Sequence, residues 1–312
     1  MSTPAAGTTE KGMFSRNDYL APLPIPTGRK PSDVLNIIWR KNEVFLDIGN
    51  YSIGSAVMVM WPMMMVFLAI SFFTRNLDPD YSRDVLILGA IILALPTLFL
   101  IQGLFREVPL PIRFNRQRRT VCVPRDNGEY WIVPWESVTA AATQRSSVSQ
   151  AGKATMGLLV IGFENPDPHA TEDNKHFSWG FNCGGGTTAM ALWECMRSYM
   201  EIGPEAAPDA AALNSGANLR YYIDYMKDKA KQRGWFLTLV WEGVFGIFIF
   251  NAPLATYLQR KKLYPPPDLH YPDIIEWSKP LPPEQWAKRS PELEAAIAKR
   301  EAELTGRAEA QV

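Results

Sequence analysis

The chain has 312 residues, 47% of them hydrophobic, and its 32 Lys and Arg residues balance its 32 Asp and Glu residues. This balance excludes the strongly basic composition of many nucleic-acid-binding proteins, and the length allows two domains beside a membrane segment. Three cysteines at irregular spacing, without a CxxC pair, argue against a disulfide framework and favour a reducing compartment.

The N-terminal part divides into two segments before the first long apolar run. Residues 1–31 are rich in Pro, Gly, Thr and Ala with little periodicity, which predicts a disordered tail. Residues 32–54 are predicted to be a cytoplasmic juxtamembrane segment. Within it, Val34–Trp39 suits a short helix on the membrane surface, and Glu43–Ile48 can form a strand that joins a later domain.

Two charge-free apolar runs dominate residues 55–106. They cover Ser55–Thr74 and Val85–Phe105, and each supplies the ~20 residues that a helix needs to cross a bilayer core of ~30 Å. Between them, Arg75–Asp84 is polar and contains a proline, which predicts a tight turn. Because backbone groups in lipid must bond internally, we predict a transmembrane helical hairpin. Buried helices of soluble proteins normally carry a polar stripe, which both runs lack.

The distribution of Lys and Arg around the hairpin predicts its orientation. Both flanks are basic, whereas Arg75 and Arg83 in the turn are offset by three aspartates. Positive charge concentrates in cytoplasmic loops of membrane proteins. We therefore expect the N-terminus and the middle domain in the cytoplasm, and the turn on the other side of a bacterial inner membrane.

Residues 107–203 carry strand signals followed by one helix. Alternating or β-branched runs predict strands over Ile112–Pro124, Tyr130–Thr139, Met156–Glu164 and His176–Asn182, with a hairpin turn at Asp126–Gly128 and a polar loop at Ser146–Lys153. Thr187 or Thr188 can cap an amphipathic helix that ends near Gly203. Antiparallel strands closed by a C-terminal helix predict an α+β domain.

This order of elements resembles bacterial pleckstrin-homology-like domains that follow a membrane hairpin. The resemblance is carried by the RFNRQRR run at Arg113–Arg119, the VPWESV run at Val133–Val138, and the closing helix. It implies a cytoplasmic pleckstrin-homology-like sheet closed by that helix, joined to a membrane-embedded hairpin.

A third apolar run follows a linker and a charged helix that are predicted over residues 204–234. The run covers residues 235–258, but Glu242, Asn251 and Pro253 interrupt it, and positive charge flanks both of its ends. The charge rule therefore cannot place its far end. A third crossing and an interfacial or broken helix are equally compatible with this sequence. The sequence therefore does not determine on which side of the membrane the C-terminal tail lies.

The last segment, residues 259–312, is predicted to be a Pro-rich tail with a terminal helix that Ser290 caps. Trp277 and Trp286 lie among its prolines, which favours a segment wrapped along another surface. A mostly disordered tail is equally compatible with this composition.

Two groups of residues are candidates for binding a lipid or a partner. Arg113, Arg116, Arg118 and Arg119 lie next to the predicted cytoplasmic membrane face, where each basic residue can gain ~1 kcal/mol from anionic lipid. Gly184, Gly185 and Gly186 precede a helix whose N-terminal N–H groups could hold an anion. A flexible strand-to-helix turn explains these glycines as well, since the lysine of a phosphate-binding loop is lacking.

The sequence shows no catalytic constellation, so we predict no catalytic residue, no metal site and no cofactor. His169 and His176 share an acidic loop, but a solvated turn between strands accounts for it better than a metal site does. Cys183 or Cys195 could act as a nucleophile only with a histidine and a carboxylate beside it.

The order of the parts is similar to a proteobacterial family of membrane proteins of unknown function, found among effector and immunity genes of type VI secretion clusters. The hairpin, the runs at Arg113–Arg119 and Val133–Val138, and the strand–GGG–helix ending in Trp193 and Tyr199 carry this resemblance. It implies a non-enzymatic inner-membrane protein with an immunity or accessory role, which binds a toxin or secretion component.

The expected partners are therefore membrane lipids and such a protein, not nucleic acid, and a homo-oligomer is compatible with the sequence. A lipid-sensing or scaffolding protein is one alternative function. A membrane-bound enzyme that uses the loop at residues 165–176 is another.

Overall fold

The structure, a computed structural model, describes residues 4–149, 152–210 and 219–309. The chain forms two compact units, each discontinuous in sequence. The first, which we call the sheet unit, comprises the described parts of residues 1–50, 110–210 and 268–312. The second, the helical unit, comprises those of residues 51–109 and 211–267.

Within the described residues, the sheet unit contains two five-stranded antiparallel sheets. The first has the order β1 (Thr9–Lys11), β2 (Ser15–Ala21), β8 (Thr139–Ser149), β9 (Gly152–Glu164) and β10 (His176–Asn182). The second follows the chain through β3 (Ile38–Lys41), β4 (Phe45–Ile48), β5 (Ile112–Asn115), β6 (Thr120–Pro124) and β7 (Tyr130–Pro134). Short 3-10 turns lie at Trp135–Ser137, Glu172–Asn174, Pro204–Ala206 and Pro283–Gln285.

The strands predicted from alternation are present, except that the one predicted over Tyr130–Thr139 is divided: β7 ends at Pro134, and the 3-10 turn at Trp135–Ser137 separates it from β8. Ile112–Pro124 forms the β5–β6 hairpin, β10 has the predicted bounds, and Gly128 adopts a φ of +83° in the predicted turn. The polar loop predicted at Ser146–Lys153 is wrong: β8 and β9 pair there up to Ser149 opposite Gly152. Pairing of backbone groups holds this extension, whatever the polarity of the side chains.

The N-terminal segment is also ordered. β1 and β2 lie within the predicted disordered tail, and β2 pairs with β8 while Leu20 and Ala21 are buried. The prediction is wrong for these strands because a neighbouring strand supplies the backbone partners and the apolar cover that the segment's own composition lacks.

The helix predicted over Val34–Trp39 is absent from the structure. The carboxylate of Asp33 accepts hydrogen bonds from the backbone N–H groups of Ile37 and Ile38 (2.9 and 3.0 Å), and β3 begins at Ile38. Ile37, Ile38 and Trp39 are buried, so tertiary packing prevails over the local pattern.

The strand predicted over Glu43–Ile48 is present as β4. It pairs directly with β5, with Ile48 opposite Ile112. The two apolar helices are thus inserted between neighbouring strands of one sheet. Consequently the domain expected over residues 107–203 also includes strands that precede these helices.

One helix closes the sheet unit after β10. This helix, α3 (Gly186–Glu201), buries the predicted apolar residues Leu192, Trp193, Met196 and Met200. The ring of Trp193 stacks on that of Trp135 at a centroid distance of 5.3 Å. α3 thereby joins the core between the sheets.

The helical unit contains the predicted hairpin. α1 (Gly54–Thr74) and α2 (Pro79–Phe105) are long and apolar enough to cross a membrane. Near the turn, the hydroxyl groups of Ser71 and Ser82 lie 2.7 Å apart. Further along, the backbone of Gly89 lies so close to Phe67 that an added Cβ would come within 2.7 Å of the ring. Small residues therefore allow the helices to pack closely.

The remainder of the helical unit is a charged helix followed by a broken apolar one. The charged helix is α4 (Leu219–Arg233). The apolar one comprises α5 (Trp235–Thr238), a π-helix (Leu239–Ile249) and α6 (Ala252–Leu263). The helical pair Trp235–Ile249 and Ala252–Leu263 is bent by 61° at its break.

The C-terminal tail returns to the sheet unit. It contains α7 (Pro272–Trp277) and α8 (Pro291–Glu309), the second of which includes the predicted terminal helix. Leu269 and Ile274 are buried against Cys122 of β6. The tail therefore follows a protein surface, as the tryptophans among its prolines suggest, and is not mostly disordered.

Candidate functional site: the basic loop and the C-terminal strap

The predicted basic cluster lies at the end of β5 and in the turn that leads to β6. We call residues Arg113–Arg119 the basic loop and residues 268–290 the C-terminal strap. The basic loop contacts the strap at several points along its length. The four arginines therefore have partners within the chain, which are described in turn below.

Arg113 is at the centre of a buried ion-pair network. Its guanidinium group binds the carboxylate of Asp47 at 2.6 and 2.7 Å and that of Asp268 at 2.6 Å, and only 3% of its side chain is exposed. It also lies over the ring of Phe45, 3.7 Å from the centroid. Burial raises the pKa of Asp47, while the hydrogen bond and charge of Arg113 act in the opposite direction.

Arg119 forms a second network, at the end of α3. Its guanidinium group donates to both carboxylate oxygens of Glu201, at 2.8 and 3.2 Å. The same carboxylate accepts hydrogen bonds from Nε1 of Trp135 and Nε of Arg289, each at 2.7 Å. Arg119 adopts a φ of +51°, a left-handed conformation that is uncommon for a side chain of this size. The network thus connects the basic loop, α3 and the strap.

Glu136 extends this second network to the end of the strap. It accepts hydrogen bonds from the guanidinium group of Arg119 at 3.0 Å and from the backbone N–H of Ser290 at 3.1 Å. Although burial acts to raise the pKa of Glu136, the hydrogen bonds from Ser290 and Arg119 lower it below its ordinary value.

Arg116 and Arg118 are only partly buried. Nε of Arg118 donates to the carbonyl oxygen of Trp277 at 2.9 Å, and the same oxygen accepts a bond from Asn115 at 3.0 Å. Arg116 lies over the ring of Trp286, 5.3 Å from its centroid. Among the described residues Arg116 has no carboxylate partner.

Gln117, which the sequence did not suggest as important, makes the most direct contacts with the strap. Its side-chain oxygen accepts a hydrogen bond from the backbone N–H of Leu281 at 2.6 Å, and its carbonyl oxygen accepts one from Ala287 at 2.8 Å. Gln117 is 3% exposed. A buried amide among four arginines has no signature in sequence, because its role depends on Leu281, which lies 164 residues later.

The basic loop is therefore the surface against which the C-terminal strap packs. Arg113 and Arg119 have their charges balanced internally, so their role in the structure is to hold the strap and the core. Binding of a lipid or a partner by the loop stays a prediction, for which Arg116 and Arg118 offer the accessible cations.

The glycine run has a packing role in the structure. Gly184 adopts a φ of +71°, and Gly185 is the N-cap of α3 in place of the predicted threonines. The backbone of Gly185 lies so close to Gly157 of β9 that a Cβ added at Gly157 would come within 2.2 Å of it. A Cβ added at Gly186 would lie 3.0 Å from the side-chain oxygen of Gln144. Anion binding at this turn stays a prediction.

The residues considered for catalysis do not converge. His169 and His176 are exposed, and Nδ1 of His176 lies 3.9 Å from Glu164. Cys122, Cys183 and Cys195 are all buried, and burial raises the pKa of Cys122 and of Cys195 to about 12. Within the described residues, no group of three or more His, Cys, Asp or Glu side chains is placed to hold a metal ion.

A polar cleft of about 230 Å³ lies between the first strands and the tail. Its lining includes three arginines, of which Arg16 binds Asp18 at 2.8 Å and Arg300 binds Glu303 at 2.9 Å. These internal pairs balance much of the positive charge. The cleft therefore offers less to an anionic ligand than its arginine content suggests.

Comparisons with protein-family models, with curated proteins and with solved structures each found no match for this chain. Its function is therefore inferred from the contacts of its own residues and from the resemblances in its sequence. Those contacts describe a sheet unit that is held together by its strap, and the helical unit is formed by two insertions in the sequence of the sheet unit.

Proposed function

We propose that this chain is a non-enzymatic, membrane-anchored binding protein. In this proposal it holds its sheet unit at the cytoplasmic face of a bacterial inner membrane. There it engages a toxin or a secretion component, as an immunity or accessory protein of type VI secretion. The observation that carries the proposal is the insertion of two apolar helices between the paired strands β4 and β5.

The insertion supports anchoring because it constrains both ends of the hairpin. Ile48 and Ile112 are directly opposite each other, so the chain leaves the sheet and returns to it at the same end of two paired strands. A hairpin with an even number of crossings satisfies this constraint, and the basic flanks favour the cytoplasm for its ends. The antiparallel strands and the closing helix α3 also support the pleckstrin-homology-like resemblance.

An exposed apolar group on the sheet unit supports the binding role. Phe14 and Met156 line one open groove with Arg145, and Met13 beside them is 90% exposed. Clustered apolar side chains on a protein surface commonly mark sites of protein association. We place the contact with the protein partner at this group.

The test is copurification from membranes together with survival. The tagged full chain is solubilised in detergent, and the products of adjacent genes are identified by mass spectrometry. We expect the wild-type chain to retain one of them, and the double variant Phe14→Ser, Met156→Ser to lose it. Val34→Ser, which changes another exposed apolar residue, is the matched control.

The survival assay examines the immunity role directly. A strain that lacks the gene should be killed by a neighbour that delivers the corresponding effector, and the wild-type gene should restore its survival. If the deletion strain survives every effector of the cluster unchanged and no adjacent gene product copurifies, the proposed function is wrong.

A lipid-sensing or scaffolding function is the second candidate, and it is favoured by the position of Arg116. Its guanidinium group is partly exposed and lies over Trp286, without a carboxylate partner among the described residues. In this case, adding phosphatidylglycerol to the detergent-solubilised chain should raise its unfolding temperature. The Arg116→Glu variant should lose that increase, and Arg75→Glu in the hairpin turn should keep it. Equal increases in all three would remove this candidate.

A further inference from the structure

We infer that residues 235–263 enter only one leaflet of the bilayer and return to the side from which they came. The acyl chains of that leaflet then cover the exposed apolar side chains of this segment. The inference rests on the membrane insertion of the hairpin proposed above, and it places both the linker and the tail on the side of the sheet unit.

The first step of the argument is that both ends of the intervening chain belong to the sheet unit. Before the segment, Nζ of Lys41 donates to the carbonyl oxygens of Pro204 and Ala207, each at 2.8 Å. After it, Asp268 binds Arg113 at 2.6 Å. A folded unit with buried ion pairs lies on one side of a bilayer, because charged groups are costly within it. The chain between residues 210 and 268 must therefore cross an even number of times.

The second step is that nothing else in this interval can supply a compensating crossing. α4 has seven charged residues among its fifteen, and each would cost ~2.5–3.5 kcal/mol for Lys, Arg or Asp at the centre of a bilayer. Residues 211–218 are too few to span it. A single crossing by the third apolar run would thus leave the tail on the wrong side. The number of membrane crossings between residues 210 and 268 is therefore zero.

Contacts within the helical unit show how far the segment reaches. Gln259 of α6 accepts hydrogen bonds from the backbone N–H groups of Ile53 and Gly54, at 2.8 and 3.1 Å, and Lys262 donates to the carbonyl oxygen of Leu104 at 2.9 Å. Both contacts are at the end of the hairpin where α1 begins and α2 finishes. α6 therefore terminates at the end of the hairpin that is connected in sequence to β4 and β5.

The break in the segment lies a short distance along α1 from this end. Nε1 of Trp61 donates to the carbonyl oxygen of Phe248 at 3.0 Å. Trp61 follows Gly54 by seven residues, which corresponds to about 10 Å of helix. A bilayer core of ~30 Å has leaflets of about 15 Å. The break at Phe250 and Asn251 therefore falls within one leaflet.

The conformation of Asn251 at the break changes the direction of the chain. Asn251 has a left-handed φ of +48°, and its side chain accepts a hydrogen bond from the backbone N–H of Leu254 at 3.3 Å, which caps α6. On the other side of the break, Glu242 binds Arg233 at 2.5 Å. This pairing compensates the one acidic residue of the apolar run.

The surface of the segment fits a lipid leaflet. Its large apolar side chains are exposed in the helical unit, and they include Trp235, Phe236, Leu239, Trp241 and Phe248. Tryptophan favours the boundary between head groups and acyl chains. Arg260, Lys261 and Lys262 occupy the last turn of α6, where anionic head groups would meet them.

Labelling of single cysteines tests the inference in the full-length chain. Lys231→Cys and Tyr264→Cys introduce exposed thiols on either side of the segment, and Asp80→Cys introduces one in the hairpin turn. Each variant is treated with a membrane-impermeant maleimide, in spheroplasts and in inside-out vesicles. The unmodified chain is the blank, because its three thiols are buried.

We expect Lys231→Cys and Tyr264→Cys to react in the same preparation, and Asp80→Cys to react in the other. Reaction of Lys231→Cys and Tyr264→Cys in different preparations would overturn the inference, even with the hairpin inserted. Reaction of all three in the same preparation would mean that the hairpin does not cross, which removes the proposed anchor and this inference with it. Labelling of each variant in detergent, without unfolding, confirms that the introduced thiol is reactive, because the three native thiols stay buried.

Discussion

Ile48 and Ile112 lie opposite each other in neighbouring strands, although residues 49–111 separate them in the chain. Because of this register, the hairpin begins and ends at the same end of two neighbouring strands. A strand pair of this kind places the two connections about 5 Å apart. The two apolar helices must therefore run antiparallel, which their serine and glycine contacts allow.

We expect close packing of the hairpin to depend on Gly89. An added Cβ at this position would lie 2.7 Å from the ring of Phe67, whereas one at Gly103 would have only an ordinary contact of 3.7 Å with Ile53. Gly89→Ala should therefore be less stable than Gly103→Ala by about 1–3 kcal/mol, the usual cost of overpacking.

Thermal unfolding of both hairpin variants in the same detergent, followed by circular dichroism, measures this difference. Both substitutions raise helix propensity equally, so the comparison isolates the steric effect. Equal unfolding temperatures would show that the helices separate without cost at Gly89.

Removal of the Gln117 side chain should loosen the C-terminal strap. Gln117→Ala leaves the partly buried backbone N–H of Leu281 without its acceptor at 2.6 Å, and a fully buried donor left unsatisfied costs about 1–3 kcal/mol. Limited proteolysis should then cleave the strap faster than in the wild-type chain. The exposed Gln285 within the strap supplies the control, since Gln285→Ala should leave the cleavage rate unchanged.

Loss of the Glu201 carboxylate should destabilise the sheet unit strongly. Glu201→Gln removes the charge that Arg119 and Arg289 share and leaves Glu136 as the remaining carboxylate partner of Arg119; breaking a buried ion pair typically costs about 3–5 kcal/mol. Chemical unfolding monitored by tryptophan fluorescence would measure the loss. The exposed Glu205 is the matched control, and Glu205→Gln should have the stability of the wild-type chain. A result in which both variants are equally stable would contradict the role of this network.

Acidic pH should weaken the attachment of the strap through Glu136. The pKa of Glu136 is lowered from 4.5 in the folded chain by the hydrogen bonds from Ser290 and Arg119, which outweigh the effect of burial. A carboxylate whose pKa is lower when folded contributes stability above its unfolded pKa and loses it as the pH falls through the folded pKa.

Unfolding temperatures measured between pH 6 and about pH 3 would show this loss. The Glu136→Gln variant should lose less stability on acidification than the wild-type chain, because it has no charge to neutralise at this position. Other carboxylates titrate in the same range, so the comparison between the two chains is the informative measurement. Identical slopes would show that Glu136 does not act through its charge.

The local features of this protein were predictable from its sequence. Two charge-free runs of about twenty residues predict apolar helices because length and composition alone decide that property. Alternation and turn residues located β5, β6 and β10 and the turn at Gly128, since neighbouring residues determine these patterns.

The partners of these elements were decided only by the tertiary structure. The pairing of β2 with β8, the internal ion pairs of Arg113 and Arg119, and the return of the tail to Gln117 join residues far apart in sequence. An arginine that binds a buried carboxylate and one that binds a lipid have the same local sequence. Only the folded chain brings Asp47 and Glu201 to them, because long-range contacts depend on the packing of the whole unit.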